Sequence, residues 1–203
     1  MQQRMQRLVR HLEALVAVDT TNPPRKIDAQ SPIFGYLLAQ LPGFQHELVD
    51  HGDGCVSLLA WRGRPTVLMN AHLDTVPAAG QWSADPFTLR VTDERAIGLG
   101  ACDIKGGAAA MLSAVADVDG DAALLFTTDE EYGESVCVHR FLASGHPVLT
   151  DTRLVVVSEP SGGQAIVAHR GFVRGEATFR TEPGHSADPR GLRDNANHQL
   201  EGF

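Results

Sequence analysis

Histidines and carboxylates in this 203-residue chain fall at a few particular places. In MNAHLDTVP, His72 and Asp74 follow directly on the apolar run TVLMN. Residues two apart on extended chain project to the same side, so the imidazole and the carboxylate can meet. A carboxylate that holds one ring nitrogen fixes the tautomer and leaves the other nitrogen free for a metal ion. In GLGACDIKGG, Asp103 stands in a glycine-bracketed loop ahead of a helix, where the helix N-terminus favours an anion. In LLFTTDEEYG, the acids Asp129, Glu130 and Glu131 close a second apolar run. Neighbours on extended chain point in opposite directions, so Glu130 and Glu131 need different tasks: one can bind metal while the other faces an attacking water. In VVVSEPSG, Glu159 ends a third apolar run and Pro160 stops the ladder. His185, in PGHSADP, lies in a Gly-, Ser-, Asp- and Pro-containing loop of the kind that binds ligands.

Taken singly, each feature has an ordinary structural explanation: a turn aspartate beside a surface histidine, a helix-capping aspartate, a solvated acidic turn, a strand-ending acid, a solvent loop. Together they point elsewhere. Three apolar strands each deliver a histidine or carboxylate at their C-terminal ends, where open α/β sheets bind ligands. One histidine with several carboxylates is a zinc or manganese ligand set, and a carboxylate-rich set suits a two-metal site. Other chemistries lack their residues. Gly98, Gly100, Gly106 and Gly107 match neither GxGxxG nor GxxxxGK[ST], and no serine lies in a GxSxG motif. Cys55, Cys102 and Cys137 have no CxxC spacing and read as small buried fillers. His11, His46, His51, His139, His146 and His198 read as surface residues, and His169 falls on a strand that can face either way.

The elements that must position these residues follow from the apolar period. Met5, Leu8, Val9, Leu12, Leu15 and Val16 recur at helical spacing, which predicts a helix over the first 18 residues, stopped by Thr20-Thr21-Asn22-Pro23-Pro24. A second helix is predicted with Ser31 as N-cap and Pro32 in its first position, ending near Pro42. Strands are predicted over 44–49, 56–61 and 66–70, and TVLMN has the composition of a strand covered on both faces. A small-residue helix over 108–118 follows, then buried strands over 122–128 and 153–158 separated by a helix over 135–144. Alternation resumes over 165–180, and 181–203 turns polar. Strand–helix alternation of this kind defines an α/β layered domain with some parallel pairing.

Composition narrows the setting. A net charge of −8 excludes sequence-blind nucleic-acid binding, which needs concentrated positive charge. No apolar run approaches the roughly 20 residues that span a bilayer, and the N-terminus mixes His11 and Glu13 into its apolar stretch, unlike a signal peptide. With three unpatterned cysteines, these features lead to the expectation of a cytoplasmic protein.

The motifs NAHLDTVP, GACDIKGG, FTTDEEYG, VSEPSG, HRGF and GHSADP, in that order and spacing, resemble the M20 family of zinc aminoacylases and exopeptidases along essentially the whole chain. That family includes acetylornithine deacetylase, succinyl-diaminopimelate desuccinylase and glutamate carboxypeptidase. The resemblance implies a zinc-exopeptidase-like mixed sheet flanked by helices over residues 1–171. The start of an inserted α+β lid or dimerisation domain would occupy 172–203. It implies two Zn2+ ions, with Co2+ or Mn2+ as substitutes: His72 and Glu159 on one, Asp103 between the two, Glu131 on the second. Asp74 would orient His72, Glu130 would be the general base, and His185 would stabilise the oxyanion. A cis peptide would follow Asp103. The implied reaction is amide hydrolysis of a small N-acyl amino acid by a homodimeric parent enzyme, N-acetylornithine first, N-acetylcitrulline as the near alternative, and another M20 peptidase or desuccinylase activity behind them. The family's final ligand histidine belongs to a stretch beyond the lid, so the chain reads as truncated. The alternative of another class is a truncated chain that binds metal or a partner without turnover.

Overall fold

The computed structural model describes residues 2–180 other than 25, 26, 81, 132, 134, 169 and 172–174. The chain divides into two compact units, Met1–Gly163 and Gln164–Phe203. In the second unit no helix or strand occurs among the described residues, so the alternating pattern over 165–180 does not produce a strand there. His169, His185 and His198 lie outside the described residues.

The first unit is a five-stranded mixed sheet between helices. Its helices are α1 (Gln2–Val16), α2 (Pro32–Ala39), α3 (Lys105–Val115), α4 (Val136–Ala143) and α5 (Pro147–Asp151). Its strands are β1 (Gln45–Asp50), β2 (Val56–Arg62), β3 (Val67–His72), β6 (Ala122–Thr127) and β7 (Leu154–Val157), with the two-residue strands β4 (Arg90–Val91) and β5 (Ala96–Ile97) forming a separate ribbon. The strand order is β1-β2-β6-β3-β7. Pairing is antiparallel for β1–β2 and β2–β6, and parallel for β6–β3 and β3–β7. The three parallel strands therefore end on the same side of the sheet.

The period of two along the central strands divides the core. Leu58, Ala60, Leu124 and Phe126 join Leu12, Leu15, Phe34, Leu37 and Leu112 from the helices in one cluster. Leu59, Ala123 and Leu125 face the opposite way, onto Phe141 and Val148. Each such Leu or Phe contributes roughly 1.5–3 kcal/mol on burial, which is what holds α1 and α3 on one face and α4 on the other.

Several expectations are corrected. Ser31 is at the helix N-cap position but makes no capping bond; its hydroxyl donates to the Asp28 carboxylate and accepts the Asp28 N–H, a local turn that competes with capping. β7 is not buried: Leu154, Val155, Val156 and Val157 are all between 42% and 55% exposed, because it forms the sheet's edge among the described residues. β3 is only partly covered at its N-terminal end, where Val67 is exposed. Cys102 is exposed, unlike Cys55 and Cys137. His11 is buried against Tyr36, with its Nδ1 2.8 Å from the phenol oxygen, and His146 accepts the Val148 N–H at the start of α5.

Candidate metal centre at the strand ends

His72 is the last residue of β3, and the parallel register sets it beside Thr127, the last residue of β6. Glu130 and Glu131 leave the end of β6 three and four residues later. On the other side of β3, Asn70 is in register with Val157, so Glu159 emerges two residues past the end of β7. Asp103 arrives from the loop before α3. It is not the capping aspartate of that helix, because Ile104 occupies the N-cap position and no side chain caps it. The Asp103–Ile104 peptide is cis.

These placements converge on one imidazole. His72 Nε2 lies 3.2 Å from Asp103 Oδ1, 3.8 Å from Glu159 Oε1 and 3.9 Å from Glu130 Oε2. His72, Asp103 and Glu131 each offer a donor atom, and the three atoms lie within 4.8 Å of one another. The ring is 2% exposed, while Asp103, Glu130 and Glu159 are about half exposed, so the cluster opens to solvent on its acidic side.

The other ring nitrogen is held from behind. Nδ1 is 2.9 Å from the Asp74 carbonyl oxygen and 3.4 Å from Asp74 Oδ1. The backbone carbonyl thus takes the contact expected of the carboxylate, because a residue two positions on presents both groups to the ring. An Nδ1–H donated to that carbonyl leaves Nε2 as the nitrogen facing the acids, where a metal ion would take the place of its proton. The Asp74 carboxylate, fully buried, spends its hydrogen bond elsewhere: Oδ2 accepts the Glu131 N–H at 2.9 Å. Nothing in the sequence spacing signals that contact, since it joins loops that meet only through sheet pairing.

Glu130 and Glu131 lie in a turn rather than on extended chain, which is how both reach the cluster despite being neighbours. Electrostatics show what the cluster attracts. Burial, and then the neighbouring Asp103, Glu130 and Asp74 charges, push the Glu131 and Glu159 carboxyls up, against the pull of His72. Burial opposes a charge on His72, yet Asp74 and Glu159 outweigh it and raise the imidazole to about 9. Four carboxylates gathered around one imidazole nitrogen call for a cation. An imidazole with carboxylate oxygens fits a divalent ion of the zinc or manganese type.

A mixed α/β sheet that brings such a donor set to the ends of its parallel strands defines a candidate divalent-metal centre. The chain belongs to peptidase family M20/M25/M40, whose pattern matches residues 68–189. It is 51% identical to an N-acetyl-L-citrulline deacetylase of Xanthomonas campestris, over 93% of this chain and 50% of that protein. It is 33% identical to an acetylornithine deacetylase of Proteus mirabilis, over 90% of this chain and 49% of that protein. The chain thus spans about half the length of the curated relatives it matches. In fold it is similar to human carnosine dipeptidase 1, with a TM-score of 0.62 at 22% identity over 75% of this chain and 38% of that one. A metallo-carboxypeptidase of Sulfolobus solfataricus aligns with a TM-score of 0.58 at 19% identity, over 74% and 37%.

Proposed function

We propose that this chain carries a metal-binding site of an amidohydrolase that releases the amine from an N-acyl amino acid, with N-acetyl-L-citrulline as substrate ahead of N-acetyl-L-ornithine. The observation that supports the reaction class is the convergence of Asp103, Glu130, Glu131 and Glu159 on His72 Nε2. The order of substrates reverses the one expected from the motifs. It rests on the 51% identity to the citrulline enzyme against 33% to an ornithine enzyme.

In this reading His72, Asp103, Glu131 and Glu159 hold zinc. A divalent ion there supplies a Lewis acid for the amide carbonyl and lowers the pKa of a nearby water. Asp74 orients His72 through its carbonyl and positions Glu131 through its carboxylate. Glu130, half exposed on the open side, takes the proton from water and returns it to the departing amine. His185 is assigned the oxyanion contact by family resemblance.

The test is zinc content per chain after exhaustive dialysis, by elemental analysis, followed by acetate release from both substrates at equal concentration. Bound metal with faster release from N-acetyl-L-citrulline is the expected result. Faster release from N-acetyl-L-ornithine overturns the substrate order. Bound metal without turnover makes the chain a metal-binding unit only, and no bound metal removes the proposal.

A further inference from the structure

The segment between α1 and α2, which the sequence marks only as a helix stop, is tied to three of the loops that carry candidate metal ligands, those of His72, Glu131 and Asp103. Thr20 Oγ1 donates to the Leu73 carbonyl at 2.6 Å, between His72 and Asp74. The Thr75 N–H donates to the Thr20 carbonyl at 3.1 Å, and the Asn22 N–H donates to the Thr75 carbonyl at 2.9 Å. Thr21 and Thr75 form a parallel bridge, so this stretch continues the sheet beyond the end of β3. The Asn22 side chain then crosses to the next loop: Nδ2 donates to the Thr128 carbonyl at 2.9 Å, two residues before Glu130. From the third loop, the Lys105 ammonium donates to the Val18 carbonyl at 2.9 Å, two residues after Asp103.

All of these groups are inside the protein. Thr20, Asn22, Thr75, Lys105 and Thr128 are each at most 1% exposed. Hydrogen bonds shielded this fully hold geometry better than exposed ones, since water cannot replace a lost partner and the stranded group is penalised. Asn22 is the hinge of the set. Its backbone N–H and its side-chain amide bind two loops that are also joined by the 2.7 Å bond from the Leu73 N–H to the Thr127 carbonyl and the 2.9 Å bond from the Glu131 N–H to the Asp74 carboxylate.

We propose that Asn22 is a positioning residue, setting the spacing between the His72–Asp74 loop and the Glu130–Glu131 loop. It touches no candidate ligand side chain among its hydrogen bonds; it acts through the backbone that carries them. The consequence for metal affinity rests on the metal-centre reading above, whereas the bracing of the loops does not.

The experiment compares the chain with Asn22→Ser and with Asn22→Leu, which keeps the shape but not the donor, and with Val148→Ala as a destabilised control from the opposite face of the sheet. Two quantities are read: amide hydrogen exchange at Thr75 and Glu131 without metal, and Co2+ affinity by absorption titration. Both Asn22 variants are expected to lose about tenfold or more of the exchange protection at Glu131, with the β2–β6 ladder unchanged. They are expected to bind Co2+ about tenfold or more weakly, as substitutions behind a metal ligand do. Val148→Ala is expected to change neither. Unchanged protection at Glu131 in both Asn22 variants, or an equal loss in Val148→Ala, overturns the proposal. A parent chain that binds no Co2+ removes the metal-centre reading, and the exchange data still decide the brace.

Discussion

The buried carboxylate of Asp74 accepts the backbone N–H of Glu131 at 2.9 Å, across 57 positions of sequence. Through its own carbonyl the same residue holds His72 Nδ1. Two candidate ligands, one at the end of β3 and one in the turn after the neighbouring β6, are thus aimed by one residue that itself faces no solvent.

Removing that carboxylate separates its role from that of the ligands. Asp74→Ala is expected to weaken divalent-metal affinity by about 10–100-fold, the usual cost of losing a group behind a ligand. A competition titration against a chelator measures it. Affinity equal to that of the parent would show that the 2.9 Å contact does not position Glu131.

Glu130 stands 3.9 Å from His72 Nε2 yet is assigned proton transfer rather than metal binding. Glu130→Gln is expected to lower deacetylation by about 10²–10⁴-fold while metal content stays the same. Turnover and elemental analysis on one preparation check both halves. A joint loss would reassign Glu130 as a ligand.

Metal removal should be visible in stability, because the acids around His72 repel one another without a cation. A ligand at 100 times its Kd stabilises the folded state by about 2.7 kcal/mol. At about 2–4 °C per kcal/mol for a chain of this size, saturating zinc is expected to raise Tm by on the order of 5–10 °C over the chelated protein. Calorimetry with and without chelator reads it directly.

Gly107, in the first turn of α3, lies against the chain leading to Glu159. A Cβ there would come within 2.5 Å of Ser158 Cβ and 2.9 Å of its carbonyl oxygen. Alanine gains roughly 0.5–1 kcal/mol over glycine inside a helix. Overpacking costs roughly 1–3 kcal/mol and outweighs that gain. Gly107→Ala is therefore expected to lower both Tm and metal affinity, since α3 and the Ser158–Glu159 segment must part. A higher Tm in thermal melts would contradict it.

His11 supplies a pH dependence remote from the metal centre. Burial, and then the Arg7 and Arg10 charges, hold its imidazole below the ordinary 6.5. The unfolded chain consequently binds a proton that the folded chain resists. The stability at stake is fully present above pH 6.5 and is lost as pH falls through that value towards the lower folded pKa. Replacement by His11→Gln is expected to flatten the fall in Tm between pH 7 and pH 5 relative to the parent (windows set by the ordinary histidine value). Parallel melting curves of the two proteins would expose an unchanged slope.

Much of this was readable along the chain. The periods of 3.6 and 2 place α1, α2 and the core strands, because a side chain's direction is set by its own backbone and needs no distant partner. The same local logic put His72, Glu130, Glu131 and Glu159 at strand ends. It failed where a partner decides. A run of four apolar residues reads as buried, yet β7 is an edge, since neighbours across the sheet and not the strand itself determine coverage. His11 reads as a surface residue because its burial depends on Tyr36, 25 positions away.

By itself, then, the sequence determined which residue types could form a metal centre, in what order they come, and the family to which the chain belongs. Tertiary structure decided their mutual distances, the carbonyl rather than carboxylate contact to His72, the bond from Asp74 to Glu131 and the brace at Asn22. Those features arise where parallel pairing of β6, β3 and β7 brings loops far apart in sequence to one edge of the sheet. Hydrogen bonds between such loops depend on ångström-scale register, which only the assembled sheet sets.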